Sequence, residues 1–235
     1  MSSVTTYSPG RRESLEFAAA TRIQESFVAG IEKSVLVWLA QRTPAWINSD
    51  HLTILGFVSQ CLAGVSYVMA RYNPDALLIG IVCLALNWLG DSLDGTLARV
   101  RKRQRPRYGF YVDHVTDTVA AFFLMGGLAL SGYVHPGIAL GMLVAFLMLS
   151  IEAYLATYTL GRFQLSYWKL GPTEIRILLA MGNLASLKHP MIKVLGKQVL
   201  LFDLGGVIAI AGMGLMLIVS AIRHTIQLYQ EEKIA

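Results

Sequence analysis

Asp91-Ser92-Leu93-Asp94-Gly95-Thr96-Leu97-Ala98-Arg99 is followed, after a spacer of nine residues, by Gly109-Phe110-Tyr111-Val112-Asp113-His114-Val115-Thr116-Asp117. The reading of the whole chain turns on these two stretches. Four carboxylates sit at the ends of two strongly apolar segments. A helix advances ~100° per residue, so Asp91 and Asp94 stand about 60° apart and Asp113 and Asp117 about 40° apart. Each pair therefore projects from one helix face. If the two helices are antiparallel neighbours, the pairs face each other across the turn at 100–108. Four unpaired carboxylates gathered there repel one another strongly. A divalent metal relieves that repulsion, and oxygen-only ligands favour Mg2+ or Mn2+. Gly95 lies one turn beyond Asp91 on the same side, where the missing side chain lets a phosphate approach the backbone.

The surrounding composition is that of a membrane protein. The chain has 235 residues, 54% of them hydrophobic and 15% charged, with a mean hydropathy of +0.52. Apolar runs at 52–70, 76–98, 110–134, 137–160, 174–187 and 202–222 are read as six spans, since about 20 apolar residues cross the hydrocarbon core. The fold class expected is an all-α integral membrane protein. A six-helix membrane domain over 44–235 follows an amino-terminal segment, 1–43. Residues 13–41 read as an amphipathic helix lying on the inner membrane surface, with Phe17, Ile23, Phe27, Ile31, Val35 and Trp38 on its apolar side. The alternative is a soluble helix packed on the bundle. Residues 1–26 hold six charged side chains and no apolar core, so no cleavable signal peptide is expected.

All but four of the twenty Lys and Arg fall where six spans with an inside amino terminus place the cytoplasm. The exceptions are Arg71, Lys188, Lys193 and Lys197. That bias sets both termini inside and puts the aspartates at the cytoplasmic boundary, with the inner membrane of the cell as the expected location. The basic turn Arg101–Arg107 reads as an anchor to anionic headgroups or as a phosphate contact. Nucleic acid is excluded as a partner by so apolar a chain. Cys61 and Cys83 fall inside spans and behave as small apolar residues.

The spacing D-x2-D-G-x2-A-R-x9-G-x3-D-x3-D resembles the signature of the CDP-alcohol phosphotransferases, class I. All eight signature residues are present: Asp91, Asp94, Gly95, Ala98, Arg99, Gly109, Asp113 and Asp117. The resemblance implies transfer of a phosphoalcohol or phosphatidyl group from a CDP-linked donor to an alcohol or lipid acceptor, with release of CMP, in phospholipid biosynthesis. It implies two divalent ions held by Asp91, Asp94, Asp113 and Asp117. It also implies a phosphate contact at Gly95, Ala98, Arg99 and Gly109, Asp117 as the base, and a homodimer. His114 is the rival base, although a side chain ~100° from Asp113 can equally face away from the metals.

Ser49-Asp50-His51-Leu52-Thr53 is similar to the P-N-x-L-T segment that lies near the nucleotide in that family. Thr53 matches, and Asp50 is a candidate nucleotide contact; Ser49 or Asp50 as a helix cap explains the stretch equally well. Asn87, one turn before Asp91, is a candidate hydrogen-bond partner for it.

Glu152, a carboxylate inside an apolar segment, marks a polar cavity by default. Glu174 and Arg176 open the fifth span at the level of the aspartates. These three are the expected acceptor site, with Glu174 alternatively serving only the helix start. Thr173-Glu174 and Asp113-His114 resemble the choline/ethanolamine branch of the family, with Val115 where that branch has Gly. Gly205, Gly206, Gly212 and Gly214 in the last span are read as a close helix contact, within the bundle or across a dimer. The competing functions are an intramembrane prenyltransferase, which also uses Asp-rich helices on a diphosphate, and an ion-coupled transporter.

Overall fold

The structure is a computed structural model and describes residues 21–23, 29–164 and 171–233. These form seven helices: α1 Ala29–Arg42, α2 Ser49–Ala70, α3 Ala76–Val100, α4 Pro106–Leu130, α5 Pro136–Leu160, α6 Pro172–Lys188 and α7 Leu201–Glu231. The last six coincide with the six apolar runs. Among the described residues, α2, α3, α5 and α7 are long and apolar enough to cross a membrane. The other two fall short for different reasons. α4 carries Asp113, His114 and Asp117 in its first half, and α6 has only 17 residues, about 26 Å at 1.5 Å per residue.

Outward-facing apolar stripes mark the membrane surface. Ile54, Val58, Leu62, Val65 and Met69 are all exposed along α2, as are Leu140, Val144, Met148, Ile151 and Leu155 along α5. Recurrence every three or four residues keeps each row on one face. Exposed apolar area this continuous is what lipid covers in a membrane protein.

Each helix end has a local cause. Asn48 caps α2, its side chain accepting from His51 N–H at 3.0 Å while His51 Nδ1 accepts from the Asn48 N–H at 3.3 Å. The cap is thus one residue before the Ser49 or Asp50 expected from the sequence. Asp75 N–H donates to Asn73 Oδ1 in the turn before α3. α5 stops at Gly161, whose φ of +66° is left-handed and suits glycine. Beyond it, β2 (Arg162–Gln164) pairs in parallel with β1 (Thr21–Ile23). Between α6 and α7, β3 (Met191–Val194) and β4 (Lys197–Leu200) form an antiparallel hairpin that turns on Leu195 and Gly196, both at positive φ.

The amino-terminal helix differs from the expectation. It is present over Ala29–Arg42; Thr21–Ile23 is strand, and residues 1–20 and 24–28 lie outside the described residues. Its buried face is Glu32, Leu36 and Ala40, while Val35 and Trp38 are exposed. The apolar side read from the spacing is thus the outward face at Val35 and Trp38, and the inward face carries Glu32, buried against polar donors on other helices. Leu36 and Ala40 join Leu52, Leu93 and Leu97 in a small core between α1, α2 and α3. The main core lies farther along the bundle, around Ala63, Tyr67, Leu77, Leu84, Leu124 and Leu128. There the fully buried Tyr67 hydroxyl donates to Asn183 Oδ1 at 3.0 Å, tying α2 to α6.

Candidate active site

Two pairs of glycines set where α3 and α4 lie against α2. A Cβ on Gly90 would stand 2.5 Å from Gly56 N, and one on Gly56 would stand 3.1 Å from Asp91 N. The α2–α3 crossing therefore falls directly beside Asp91. On the other side, a Cβ on Gly127 would strike the Gly64 carbonyl, and one on Gly64 would strike that of Phe123. Backbones approach this closely only where side chains are absent. Short connections make α2 and α4 parallel. Eight residues back from Gly64 is Gly56, and ten back from Gly127 is Asp117; at 1.5 Å per residue these are about 12 and 15 Å. The two crossings thus bring Asp117 level with Asp91.

Asp91, Asp113 and Asp117 each place a carboxylate oxygen within 4.8 Å of the other two. All three are partly buried, and with Asp94 they line one cavity. Asp94 is turned toward α2: its Oδ2 accepts from Thr53 Oγ1 at 2.6 Å, its Oδ1 accepts from the Gly95 N–H, and its own carbonyl accepts from Ser49 Oγ at 3.0 Å. Arg176 of α6 reaches the cluster, Nη2 donating to Asp91 Oδ2 at 2.5 Å and Nε to Asn87 Oδ1 at 2.7 Å. Asn87 Nδ2 in turn donates to the Gly56 carbonyl at 3.0 Å. Asn87 thus meets Asp91 through Arg176 rather than directly.

The donor set fits hard divalent cations. It consists of carboxylate oxygens, the ligand type that such cations prefer. Thr53 orients Asp94 much as outer partners orient metal ligands. Thr53→Val is therefore expected to weaken Mn2+ binding by about tenfold, read from free Mn2+ by electron paramagnetic resonance, without changing helix content. Unaltered affinity would remove Thr53 from that role.

The remaining expected residues divide. Arg99 donates from Nη2 to Thr96 Oγ1 at 2.9 Å, and its Nη1 lies 3.4 Å from where a Gly95 Cβ would be. The guanidinium therefore covers the bare face of Gly95. Ala98 is half-buried on the same helix. Gly109 stands in the first turn of α4, where a Cβ would meet nothing within 4 Å. Asp50 is paired with Arg105. Arg101, from the same basic turn, donates to the carbonyls of Ile47, Thr43 and Pro44, so Arg105 fastens the α3–α4 turn to the start of α2 and Arg101 fastens it to the α1–α2 connection.

His114 Nδ1 lies 2.6 Å from the Phe110 carbonyl. A carbonyl only accepts, so Nδ1 carries the proton. The ring stacks on Phe110 at 4.1 Å and meets Tyr154 edge-on at 4.7 Å. Glu152 pairs with His224 of α7 at 2.6 Å. Glu174 is buried, and its Oε2 accepts from the Gly171 N–H at 2.9 Å, which caps α6. Of the three residues expected at the acceptor site, the structure brings Arg176 to the cluster.

A family model described as CDP-alcohol phosphatidyltransferase matches residues 46–222. Cholinephosphotransferase 1 of Gallus gallus is 25% identical over 157 residues, which cover 63% of this chain and 46% of that protein. Archaetidylinositol phosphate synthase of Methanothermobacter thermautotrophicus is 30% identical over 98 residues, 41% of this chain and 46% of that protein. The chain thus spans less than half the length of each of these relatives.

Proposed function

The chain belongs to the CDP-alcohol phosphatidyltransferase family, and from that premise we propose that it transfers a phosphoalcohol or phosphatidyl group from a CDP-linked donor to an acceptor alcohol, releasing CMP. The observation that carries this reading is the approach of Asp91, Asp113 and Asp117 oxygens to within 4.8 Å of one another. These three and Asp94 would hold two Mg2+ or Mn2+ ions. Such ions, when bound, neutralise the donor's diphosphate and ease departure of the CMP. Arg99, lying over Gly95, presents a planar guanidinium to a phosphate of the donor. The acceptor oxygen bonds to the β-phosphorus as the bond to the bridging oxygen breaks. CMP leaves with that electron pair, and the acceptor proton passes to the Asp117 carboxylate.

His114 is the weaker base. Its Nδ1 proton faces the Phe110 carbonyl, so Nε2 is the atom that would take a proton; the ring is packed between Phe110 and Tyr154, whereas Asp117 lines the cavity of the aspartate cluster. His114→Ala is expected to lower kcat less than about tenfold, whereas loss of a true general base removes ~100-fold or more. A loss of that larger size, at unchanged donor KM, would transfer the role from Asp117 to His114.

Arg176 is the acceptor-side cation in this reading. It suits a phosphorylated alcohol, while Glu152 or Glu174 would pair with a cationic one. The basic turn, the lysine and arginine bias and the outward apolar rows support six spans, α4 and α6 included, with the site facing the cytoplasm at the inner membrane. The exposed Val35 and Trp38 support α1 resting at the interface. The working unit proposed is a homodimer.

The test is release of labelled CMP by purified protein from CDP-diacylglycerol, CDP-choline and CDP-ethanolamine against a panel of alcohols, with Mg2+ or Mn2+. Release from one donor, dependent on the alcohol, names the substrates. Silence with every donor rejects the reaction.

A further inference from the structure

Glu32 lies outside the signature and outside the aspartate cluster, yet it is bonded to α3, which carries Asp91, and to α6, which carries Arg176. It sits on α1, only 8% exposed. Its Oε1 accepts from Trp88 Nε1 at 2.8 Å and Ser92 Oγ at 3.2 Å on α3, and from Thr173 Oγ1 at 2.8 Å on α6. Its Oε2 is buried and has no hydrogen-bond partner among the described residues. Burial of a carboxylate against neutral donors is expensive. Simple packing of α1 is already supplied by Leu36 and Ala40 on the same face, so the carboxylate needs another explanation.

Its partners supply one. Trp88 adjoins Asn87, and Ser92 adjoins Asp91. Thr173 stands three residues before Arg176, about 60° away around α6, so both lie on one face. Beside Asp91 the α3–α6 contact is therefore held by two polar ties, with the Asn183 Nδ2 to Leu77 carbonyl bond lying farther along the same pair of helices. In the first, Glu32 gathers Trp88, Ser92 and Thr173. In the second, Arg176 holds Asn87 and Asp91. We infer that Glu32 is a positioning residue that fixes the first turn of α6 against α3 and thereby sets how firmly Arg176 holds Asp91. Arg176 and a divalent cation are both positive and share Asp91, so the tie at Glu32 tunes cation binding from outside the cluster. This inference rests on the proposed reading of the aspartates as a cation site.

Thr173→Val tests it, because the change removes one hydroxyl and no charge. With Arg176 less firmly held, the purified full chain should bind Mn2+ at least about threefold more tightly than the parent, and the shift should vanish in an Arg176→Ala background. Glu32→Gln and Glu32→Ala supply the second comparison. Both lose the charge, but Gln keeps an oxygen for the three donors, so Glu32→Ala should bind Mn2+ more tightly than Glu32→Gln. A Thr173→Val affinity within about twofold of the parent, or an equal shift without Arg176, overturns the inference. A parent that binds no Mn2+ overturns it together with the metal reading. If the shift is found but CMP is never released, the proposed reaction fails and the positioning role stands.

Discussion

Asp113→Asn is expected to lower CMP release by more than ~100-fold while leaving the helical fold and its melting behaviour unchanged. Removing groups that merely orient metal ligands costs ~10–100-fold, and removing a ligand charge itself should cost more. Asp113 is well placed for a clean test. Its carboxylate belongs to the cluster of three, yet its side chain is 44% exposed and the α2–α4 crossing that seats its helix lies farther along, at Gly64 and Gly127. Asparagine keeps the size and gives up the charge. Asp91→Asn is a poorer choice, because it also frees Arg176. The measurement is CMP release over a range of Mg2+ and Mn2+, with Asp75→Asn in the turn before α3 as the control. Activity above a tenth of the parent's, or full turnover of the parent in excess EDTA, would refute the metal role.

How far the sequence reveals such a site depends on which coordinate of a helix is asked for. Depth along the helix was legible. The apolar runs place α2 to α6 and the start of α7 within a few residues, while α7 continues nine residues past its run to Glu231, and the spacing of Asp91, Asp94, Asp113 and Asp117 puts four acids at one level. The direction each side chain takes around its helix was not. Glu152 was read at the depth of the aspartates, but α5 packs on α7, and its carboxylate meets His224 instead. Glu174 shares that level and is used to cap α6. Asp94 lines the cavity with the other three, but its carboxylate is held there by Thr53, a contact 41 residues apart in sequence that no helical period encodes. The burial of Glu32 is not legible either, because local periodicity cannot report donors carried by α3 and α6. The α7 glycines are read from the sequence as a bundle or dimer contact. Within the chain Gly206 meets Ile138 and Met142, while Gly205, Gly212 and Gly214 have nothing within 4 Å, and the tight crossings inside the bundle are at Gly56, Gly64, Gly90 and Gly127. A glycine's neighbour is set by the partner helix, and the partner is not written in the glycine's own segment.

Those crossings yield the largest stability effect expected. Gly127→Ala should destabilise the protein by roughly 3 kcal/mol, the upper end of what overpacking by small groups costs. The added methyl would fall on the Gly64 carbonyl. A side chain in its way could rotate, but a backbone carbonyl within α2 cannot move without carrying that helix with it. α2 and α4 must therefore part along their contact. The neighbouring Gly126 is the internal control, since a Cβ there meets nothing within 4 Å. Gly126→Ala should be neutral, or stabilising by about 0.5–1 kcal/mol from helix propensity. Unfolding of the two variants in mixed detergent, followed by circular dichroism, separates them. Equal stability would show that the crossing does not hold α4 in place. The functional consequence follows from the same geometry. α4 carries Asp113 and Asp117, and Asp91 is seated by the other crossing, at Gly56 and Gly90. Parting α4 from α2 draws two carboxylates away from the third, so Gly127→Ala should also lose Mn2+ affinity even though it lies about 15 Å along the helix from Asp117.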